Sequence, residues 1–337
     1  MALMMVTTIT MVLSVTMIVA LEYYHDFARV EASGELVTYW GQNSNNTTLA
    51  ELCQTSLYNI VVISYLDLSG GGGGGGGGVL SRQYPYLNLD LHCNSSNGGC
   101  TSLTTDIAIC QSLNVRVLLS ISGGGGRSNH EDNEETSPHG EGPDYVASYL
   151  WNNFLSGESD DPGGRPLGAA ILDGIDLDIE SGAGNSGTMN YYGHLAQFVR
   201  QLSIGSAILT ASPRCLFPDP NLGPELSGSA LESSTFDYVW VRFYNNSLCQ
   251  FDGSRPTDLS PMLGAWEQWT QALPEVRILL GIPASPNDSI SGFIPSSTLL
   301  SDILPLLQGS SNYGGIMLHT SYDDSNSTYA YSIKPLL

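Results

Sequence analysis

Basic residues are scarce in this chain. Its 337 residues include 11 lysines and arginines against 33 aspartates and glutamates, which gives a net charge of −22. Such a charge would repel nucleic acids and anionic membranes, so we expect neither as a partner. The excess of acid is compatible with solubility alone, with a neutral or cationic ligand, or with weakly bound metal ions.

Metal-site spacings and long apolar segments are also lacking. No two cysteines have the C-x-x-C spacing of zinc sites and the six histidines are scattered, so we expect no metal and no cofactor. Beyond residues 1–20, no segment is apolar and long enough to span a bilayer.

The first 20 residues carry no charge and suit the core of a signal peptide, with cleavage after Ala20 or Ala32. A membrane anchor is the competing interpretation. We expect a signal peptide over residues 1–32, a single domain over residues 33–337, and secretion to the extracellular space or the vacuole. The six cysteines, an even number, fit disulfides in such a compartment, although the sequence leaves their pairing open.

Short β-rich runs recur eight times along the chain. They cover residues 36–41, 59–68, 115–122, 173–180, 207–213, 237–244, 276–283 and 314–322. Most are continuously apolar, as in parallel strands covered on both faces, and helix-like stretches lie between several of them, at residues 145–155, 191–202, 261–273 and 297–307. The pattern predicts the α/β class and a single-domain (β/α)₈ TIM barrel; a doubly wound open sheet is the alternative.

Several polar or glycine-rich segments interrupt this pattern. The nine glycines of residues 70–78 predict a flexible loop. Gly123 to Gly126 follow the third run, where either a tight turn or close approach of a ligand would need glycine. The acidic loops 128–142 and 157–164 form a solvated face or bind calcium weakly.

The segment LDGIDLDIES, residues 172–181, concentrates acids on an otherwise apolar strand. Alternate residues of a strand share a face, so Asp176, Asp178 and Glu180 should point together into the lumen of a barrel. Repulsion and burial raise the pKa of at least one carboxyl in such a row, which suits a general acid. Glu180, the outermost, is placed to protonate a leaving oxygen; a merely acidic strand edge is the alternative.

This row resembles the D-x-x-D-x-D-x-E signature of glycoside hydrolase family 18. From about residue 35 to the C-terminus the chain is also similar to plant class III chitinases of the hevamine type. The stretches that carry the similarity are YWGQN (39–43), HCNSSNGGC (92–100), YLWNNFL (149–155), RPLG (165–168), FPD (217–219), FDYVWVRFYNN (236–246) and YGGIML (313–318).

The resemblance implies a barrel that cleaves β-1,4 bonds between N-acetylglucosamine units of chitin or chito-oligosaccharides, by a retaining mechanism in which the substrate's acetamido group attacks. Glu180 would be the acid, Asp178 would hold the acetamido group, Asp176 would share a proton with Asp178, and Tyr244 would bond the acetamido oxygen. The resemblance further places three residues in the cleft, namely Tyr39, Gln42 and Tyr65. It also implies three disulfides, which are Cys53–Cys110, Cys93–Cys100 and Cys215–Cys249.

Three departures from the family pattern bear on activity. His319 stands where the family has a tryptophan under the sugar, and losing that stacking surface is expected to slow the reaction by roughly two decades. Arg242 replaces a glutamine and should face the lumen with Tyr244, where a guanidinium would favour the carboxylate form of Glu180. Arg214 also replaces a glutamine near the rim and could instead bond sugar hydroxyls.

Two functions compete on these grounds. The intact acidic signature favours a secreted endochitinase that acts as a monomer. His319 and Arg242 favour a catalytically impaired relative that binds chitin fragments, inhibits another glycosidase or serves as an acidic storage protein. Calcium storage, a third hypothesis, rests on the charge alone.

Overall fold

The structure is a computed structural model. It describes residues 34–43, 47–68, 85–89, 92–93, 99–122, 141–159, 164–180, 186–232, 235–286, 290–321, 324 and 328–337. The expected signal peptide, the glycine run at 70–78, Gly123 to Gly126, most of loop 128–142 and residues 160–163 of the second acidic loop lie outside these ranges. No helix in the described ranges is long and apolar enough to cross a membrane.

Eight parallel strands close into a barrel, which confirms the TIM fold. With one short additional strand, β3, the described strands are β1 (Glu35–Trp40), β2 (Ile60–Asp67), β3 (Tyr86–Leu87), β4 (Arg116–Ser122), β5 (Gly174–Asp178), β6 (Ile208–Ala211), β7 (Tyr238–Arg242), β8 (Arg277–Pro283) and β9 (Tyr313–His319). The barrel strands follow the order β1-β2-β4-β5-β6-β7-β8-β9, and β1 pairs with both β2 and β9, so the sheet is not an open one. The short β3 pairs with β2 in antiparallel orientation.

Helices connect the strands and cover the outside of the barrel. They are α1 (Leu49–Gln54), α2 (Leu103–Ser112), α3 (Pro143–Asn153), α4 (Ser186–Leu202), α5 (Ser260–Ala272), α6 (Ser296–Thr298), α7 (Leu304–Leu307) and α8 (Tyr329–Ile333); a π-helical turn, Leu299–Ile303, joins α6 to α7. Capping residues and prolines in the sequence determine where several of these helices begin. Thr48 and Glu51 form a reciprocal capping box at α1, and proline in the first turn begins α3 and α5.

Two apolar layers hold the fold together. The larger layer packs the outer faces of the strands against the helices. A smaller cluster fills the lumen and includes Val37, Tyr39, Leu118, Trp240 and Met317. Side chains that point inward from the upper ends of the strands therefore rest on a packed floor, and they face the open rim of the barrel.

Disulfides add three covalent links between loops and helices. The pairs are Cys53–Cys110, Cys93–Cys100 and Cys215–Cys249, which is the pairing that the family resemblance implies. The last of these joins the segment after β6 to the segment after β7, so it fixes two neighbouring stretches at the carboxyl end of the barrel.

Candidate active site

A cavity of about 380 Å³ opens at the carboxyl ends of the strands. TIM-barrel enzymes carry out their chemistry at this end. The cavity is lined by Tyr39, Trp40, Gly41, Gln42, Asn43, Ser64, Asp178, Glu180, Arg242, Tyr244, Asn245, Ile290, His319 and Thr320.

Asp176 lies below the cavity and is completely buried. Its carboxylate accepts hydrogen bonds from Tyr39 Oη at 2.7 Å, Thr210 Oγ1 at 2.8 Å and Ser120 Oγ at 3.3 Å. Burial, followed by the negative charge of Asp178, raises the pKa of Asp176 to about 7. Asp176 can therefore take up or release a proton near neutral pH.

The Tyr39 hydroxyl connects Asp176 to the far side of the lumen. Tyr39 comes from β1 and receives a hydrogen bond from Trp240 Nε1 of β7 at 2.7 Å. Burial, reinforced by the charges of Asp176 and Asp178, raises the pKa of Tyr39 well above its ordinary value. Tyr39 is therefore a neutral hydrogen-bond donor at any physiological pH.

Glu180 lies outside β5, although the sequence predicts that it is the last residue of this strand. Strand β5 ends at Asp178, and the Glu180 side chain is 62 % exposed at the edge of the cavity. Asp178, one step further in, has a side chain that is 25 % exposed. The three carboxyls therefore form a gradient from the buried interior to solvent, and both Asp178 and Glu180 line the cavity.

Arg242 contacts both outer carboxylates. Its Nη1 lies 2.9 Å from Asp178 Oδ1 and also donates to Glu180 Oε1, while its side chain is only 6 % exposed. Burial works against the charge of Arg242, but Asp178, Tyr244 and Glu180 raise its pKa above the ordinary value, so it stays a cation. The guanidinium therefore holds both carboxylates in ion pairs, and this pairing competes with proton donation by Glu180. Arg242 thus faces the lumen beside Glu180, as strand alternation predicts.

Tyr244 and His319 line the cavity next to each other. The Tyr244 ring lies 5.3 Å from the His319 ring between centroids, at an interplanar angle of 51°. Burial raises the pKa of Tyr244 and the nearby Arg242 opposes that rise, but the net shift is upward, so its hydroxyl remains a donor. His319 ends β9 and presents an imidazole where the cavity meets its floor.

The loop after β1 brings Gln42 to the cavity. Gly41 has φ +117°, and a Cβ there would lie 2.8 Å from the Ser64 carbonyl oxygen, so this turn requires glycine. Gln42 Nε2 donates to Ser64 O at 2.6 Å and to Asn88 O at 3.1 Å.

Tyr65 has a different environment from the one expected. It exchanges backbone hydrogen bonds with Asn88, whose Nδ2 lies 3.3 Å from the Tyr65 hydroxyl. In the part of the chain that the structure describes, Ser64 lines the cavity and Tyr65 does not.

Sequence reasoning missed the residues that support Asp176 and part of the cavity rim. Ser120 and Thr210 stand opposite Asp176 in the ladders β4–β5 and β5–β6, and Asn245, Ile290 and Thr320 line the cavity. Inward alternation along β4 and β6 could have indicated the two hydroxyls. The rim residues lie on loops, where no periodicity marks them.

The residues of this cavity do not form a metal site. In the described ranges, no group of three or more His, Cys, Asp or Glu residues is arranged to hold an ion. The acids of β5 are balanced instead by Arg242 and by the hydroxyls around Asp176.

Replacing Asp176 by Asn should change how stability depends on pH. The folded-state pKa of Asp176, about 7, exceeds its ordinary value of 3.8, so the folded protein binds the proton more tightly. Its contribution to the free energy of unfolding is full below about pH 4 and is lost as pH rises through about 7. The Asp176→Asn variant should lack this loss, so its stability relative to the wild type should improve by a few kcal/mol over that range.

Urea unfolding at several pH values measures this change of slope. Asp302→Asn, at an exposed position, is the control and should leave the slope unchanged. Parallel pH curves for the wild type and Asp176→Asn would show that Asp176 ionises at the same pH in the folded and unfolded chains.

Comparison with known proteins agrees with this geometry. Residues 35–289 match the family model described as Glycosyl hydrolases family 18. An acidic endochitinase from Nicotiana tabacum is 41 % identical over 306 residues, which is 90 % of this chain and 92 % of the relative.

Solved structures show both catalytic and inhibitory relatives. The ICChI chitinase from Ipomoea carnea is 36 % identical, with a TM-score of 0.72 and coverage of 90 % of this chain and 99 % of that one. The xylanase and alpha-amylase inhibitor protein XAIP-II from Scadoxus multiflorus is 32 % identical, with a TM-score of 0.72 and coverage of 89 % and 98 %. The family match over most of the barrel, together with this identity to endochitinases, shows that the chain belongs to glycosyl hydrolase family 18 and groups with its plant class III chitinases.

Proposed function

We propose that this protein hydrolyses the β-1,4 bonds of chitin or chito-oligosaccharides with retention of configuration, and that the acetamido group of the substrate takes part. The observation that carries the proposal is the row of three carboxyls on and just beyond β5, from the buried Asp176 to the exposed Glu180 at the cavity. A row in which one member has a pKa near 7 can pass a proton inward while the outermost acid reacts.

The first step breaks the glycosidic bond. Glu180 gives its proton to the bridging oxygen, and the carbonyl oxygen of the neighbouring acetamido group bonds to the anomeric carbon as the leaving sugar departs. Asp178 accepts a hydrogen bond from the acetamido N–H, and its charge stabilises the positive cyclic intermediate. The Tyr244 hydroxyl donates to the acetamido oxygen. Its raised pKa keeps the proton that this bond needs.

The second step restores the enzyme. Water attacks the anomeric carbon from the face that the leaving sugar vacated, gives its proton to Glu180, and the acetamido group reforms. Two inversions at one carbon give net retention. The test is the release of sugar from a chitin oligomer with the β-anomer as first product; no release at either acid or neutral pH would contradict the proposal.

Arg242 favours a second candidate, a protein that binds chitin fragments or inhibits a glycosidase without cutting. Its guanidinium contacts both Asp178 and Glu180, two groups that the reaction requires in different protonation states. A structural relative bears the name of a xylanase and alpha-amylase inhibitor, so the barrel itself is compatible with that role.

Replacing Arg242 by Gln distinguishes the two candidates. If Glu180 acts as the acid, removing the guanidinium releases Glu180 and Asp178 from their ion pairs and frees Glu180 to donate to the glycosidic oxygen. The kcat/KM at neutral pH should then rise by roughly tenfold, whereas a binding protein should gain no activity. The measurement is a pH profile of oligomer hydrolysis.

Arg116→Gln is the matched control for this profile. Arg116 forms an ion pair with Glu35 at 2.7 Å, at the opposite end of the barrel strands, and should leave the profile unchanged. Absence of hydrolysis in the wild type and in Arg242→Gln alike, with oligomer binding intact, would favour the binding protein.

We further propose that the protein is secreted, to the extracellular space or the vacuole, and acts as a monomer. Three disulfides support an oxidising compartment, because such bonds are rare in the reducing cytosol. Gel filtration of the purified protein and imaging of a C-terminal fusion test the two statements separately.

A further inference from the structure

Glu180 needs support that its own strand does not give. It lies two residues beyond the end of β5, and its side chain is 62 % exposed, so burial does not fix its position. The β5–β6 ladder ends at Leu177 and Ala211, and the next backbone bond runs from Ser212 N to Leu177 O. A general acid in this place depends on how the backbone of residues 179 and 180 is held.

Beyond the end of the β5–β6 ladder, two side chains from one loop form hydrogen bonds to the backbone of residues 179 and 180. Asn221 Nδ2 donates to the Ile179 carbonyl at 3.1 Å, and Arg214 Nη2 donates to the Glu180 carbonyl at 3.0 Å. Asn221 is 1 % exposed, and Ile179 is equally buried, so the first bond is inaccessible to competing water. The two carbonyls that flank the Cα of Glu180 are thus both held by side chains of this loop.

Asp219 fixes the two donors relative to each other. Its buried carboxylate accepts Arg214 N at 3.0 Å through Oδ2, and Asn221 N and Leu222 N, both at 2.9 Å, through Oδ1. Hydrogen bonds to a charged acceptor are among the stronger ones in proteins, so this loop holds its shape. Asp219 ends the FPD segment, to which the reaction itself assigns no role.

The same loop is attached to the strand that carries Arg242. Arg242 N donates to Pro213 O at 2.8 Å, and Cys215 N donates to Arg242 O at 3.1 Å. The Cys215–Cys249 disulfide adds a covalent link to the chain beyond β7. The loop therefore sets the position of Glu180 against Arg242.

We propose that the loop of residues 214–222 is a positioning device for Glu180, with Asn221 and Arg214 as the positioning residues. The inference rests on the proposed hydrolysis. It predicts that replacing either residue lowers kcat, because a displaced acid transfers its proton more slowly while the rest of the cavity still binds the oligomer.

The first test compares two buried asparagines whose side chains both donate to backbone carbonyls. Asn312 is 6 % exposed and donates from Nδ2 to Leu273 O at 2.9 Å and Thr270 O at 3.1 Å, just before β9 begins, at the other end of the barrel. Asn221→Ala and Asn312→Ala should both lower the melting temperature. Only Asn221→Ala should lower kcat, by about tenfold, with KM within about a factor of two.

The second test uses Arg214, which is exposed and can be replaced without disturbing the core. Arg214→Ala should lower kcat several-fold, whereas Arg214→Lys keeps an N–H donor of similar reach and should restore most of it. Unchanged kcat in both Asn221→Ala and Arg214→Ala, or an equal loss in Asn221→Ala and Asn312→Ala, would overturn the inference. A wild type no faster than Glu180→Gln would instead overturn the proposed hydrolysis and this inference with it.

Discussion

Replacing Glu180 by Gln should reduce the kcat for chito-oligosaccharide hydrolysis to background, a loss of roughly a thousandfold or more. The amide has nearly the same shape as the carboxyl group but cannot donate a proton to the glycosidic oxygen. Asp178, Tyr244 and the cavity walls remain, so the dissociation constant for the oligomer should stay close to that of the wild type. Sugar release measures the first quantity and titration calorimetry the second.

Glu267→Gln controls for the charge change alone. Glu267 lies exposed on α5, where its carboxylate accepts a hydrogen bond from Gln271, and this variant should keep wild-type rates. Equal sugar release by the wild type and Glu180→Gln would show that Glu180 is not the acid, and the enzymatic interpretation of the β5 carboxyls would then be wrong.

Replacing His319 by Trp should raise kcat/KM by about tenfold to a hundredfold. An indole offers a larger apolar face than an imidazole, and His319 lies at the cavity floor beside Tyr244, where the sugar to be cut must rest. Stacking that tightens as the sugar distorts lowers the barrier rather than only the dissociation constant. Oligomer hydrolysis at saturating and limiting substrate separates the two effects.

A graded series makes this prediction specific. His319→Phe supplies an apolar ring of intermediate area and should give an intermediate gain, while His194→Trp adds an indole to the exposed face of α4 and should give none. Loss of both activity and oligomer binding in His319→Trp would contradict this prediction. It would mean that the imidazole of His319 itself binds the oligomer and that a stacking surface cannot replace it.

The interplay between these residues explains how the two candidate functions can coexist in one barrel. The acids, Tyr39 and Tyr244 form an arrangement that can carry out hydrolysis, and their contacts converge on the cavity. Arg242 and His319 act in the opposite direction, the first by pairing with Glu180 and the second by reducing the stacking surface. We therefore expect a slow enzyme whose rate is limited by Arg242 and His319 and not by the arrangement of the acids and tyrosines.

Some features of the site followed from the sequence and others did not. Strand alternation correctly placed Arg242 and Tyr244 at the cavity, because the period of two does not depend on context. The predicted end of β5 was wrong: the strand ends at Asp178, its ladder with the short strand β6 already stops at Leu177, and side chains of the following loop bond the backbone beyond. The hydrophobic pattern of a sequence cannot show where side-chain hydrogen bonds replace the backbone hydrogen bonds of a strand.

Local periodicity and a contiguous motif were enough to predict the barrel, the family and the row of acids. The folded chain was needed to show that Arg242 pairs with both Asp178 and Glu180, and that Asn221 and Arg214 hold the backbone beside the acid. Those contacts join positions 34 to 64 residues apart. Their energies depend on distance and burial, which exist only once the strands have closed around a common lumen.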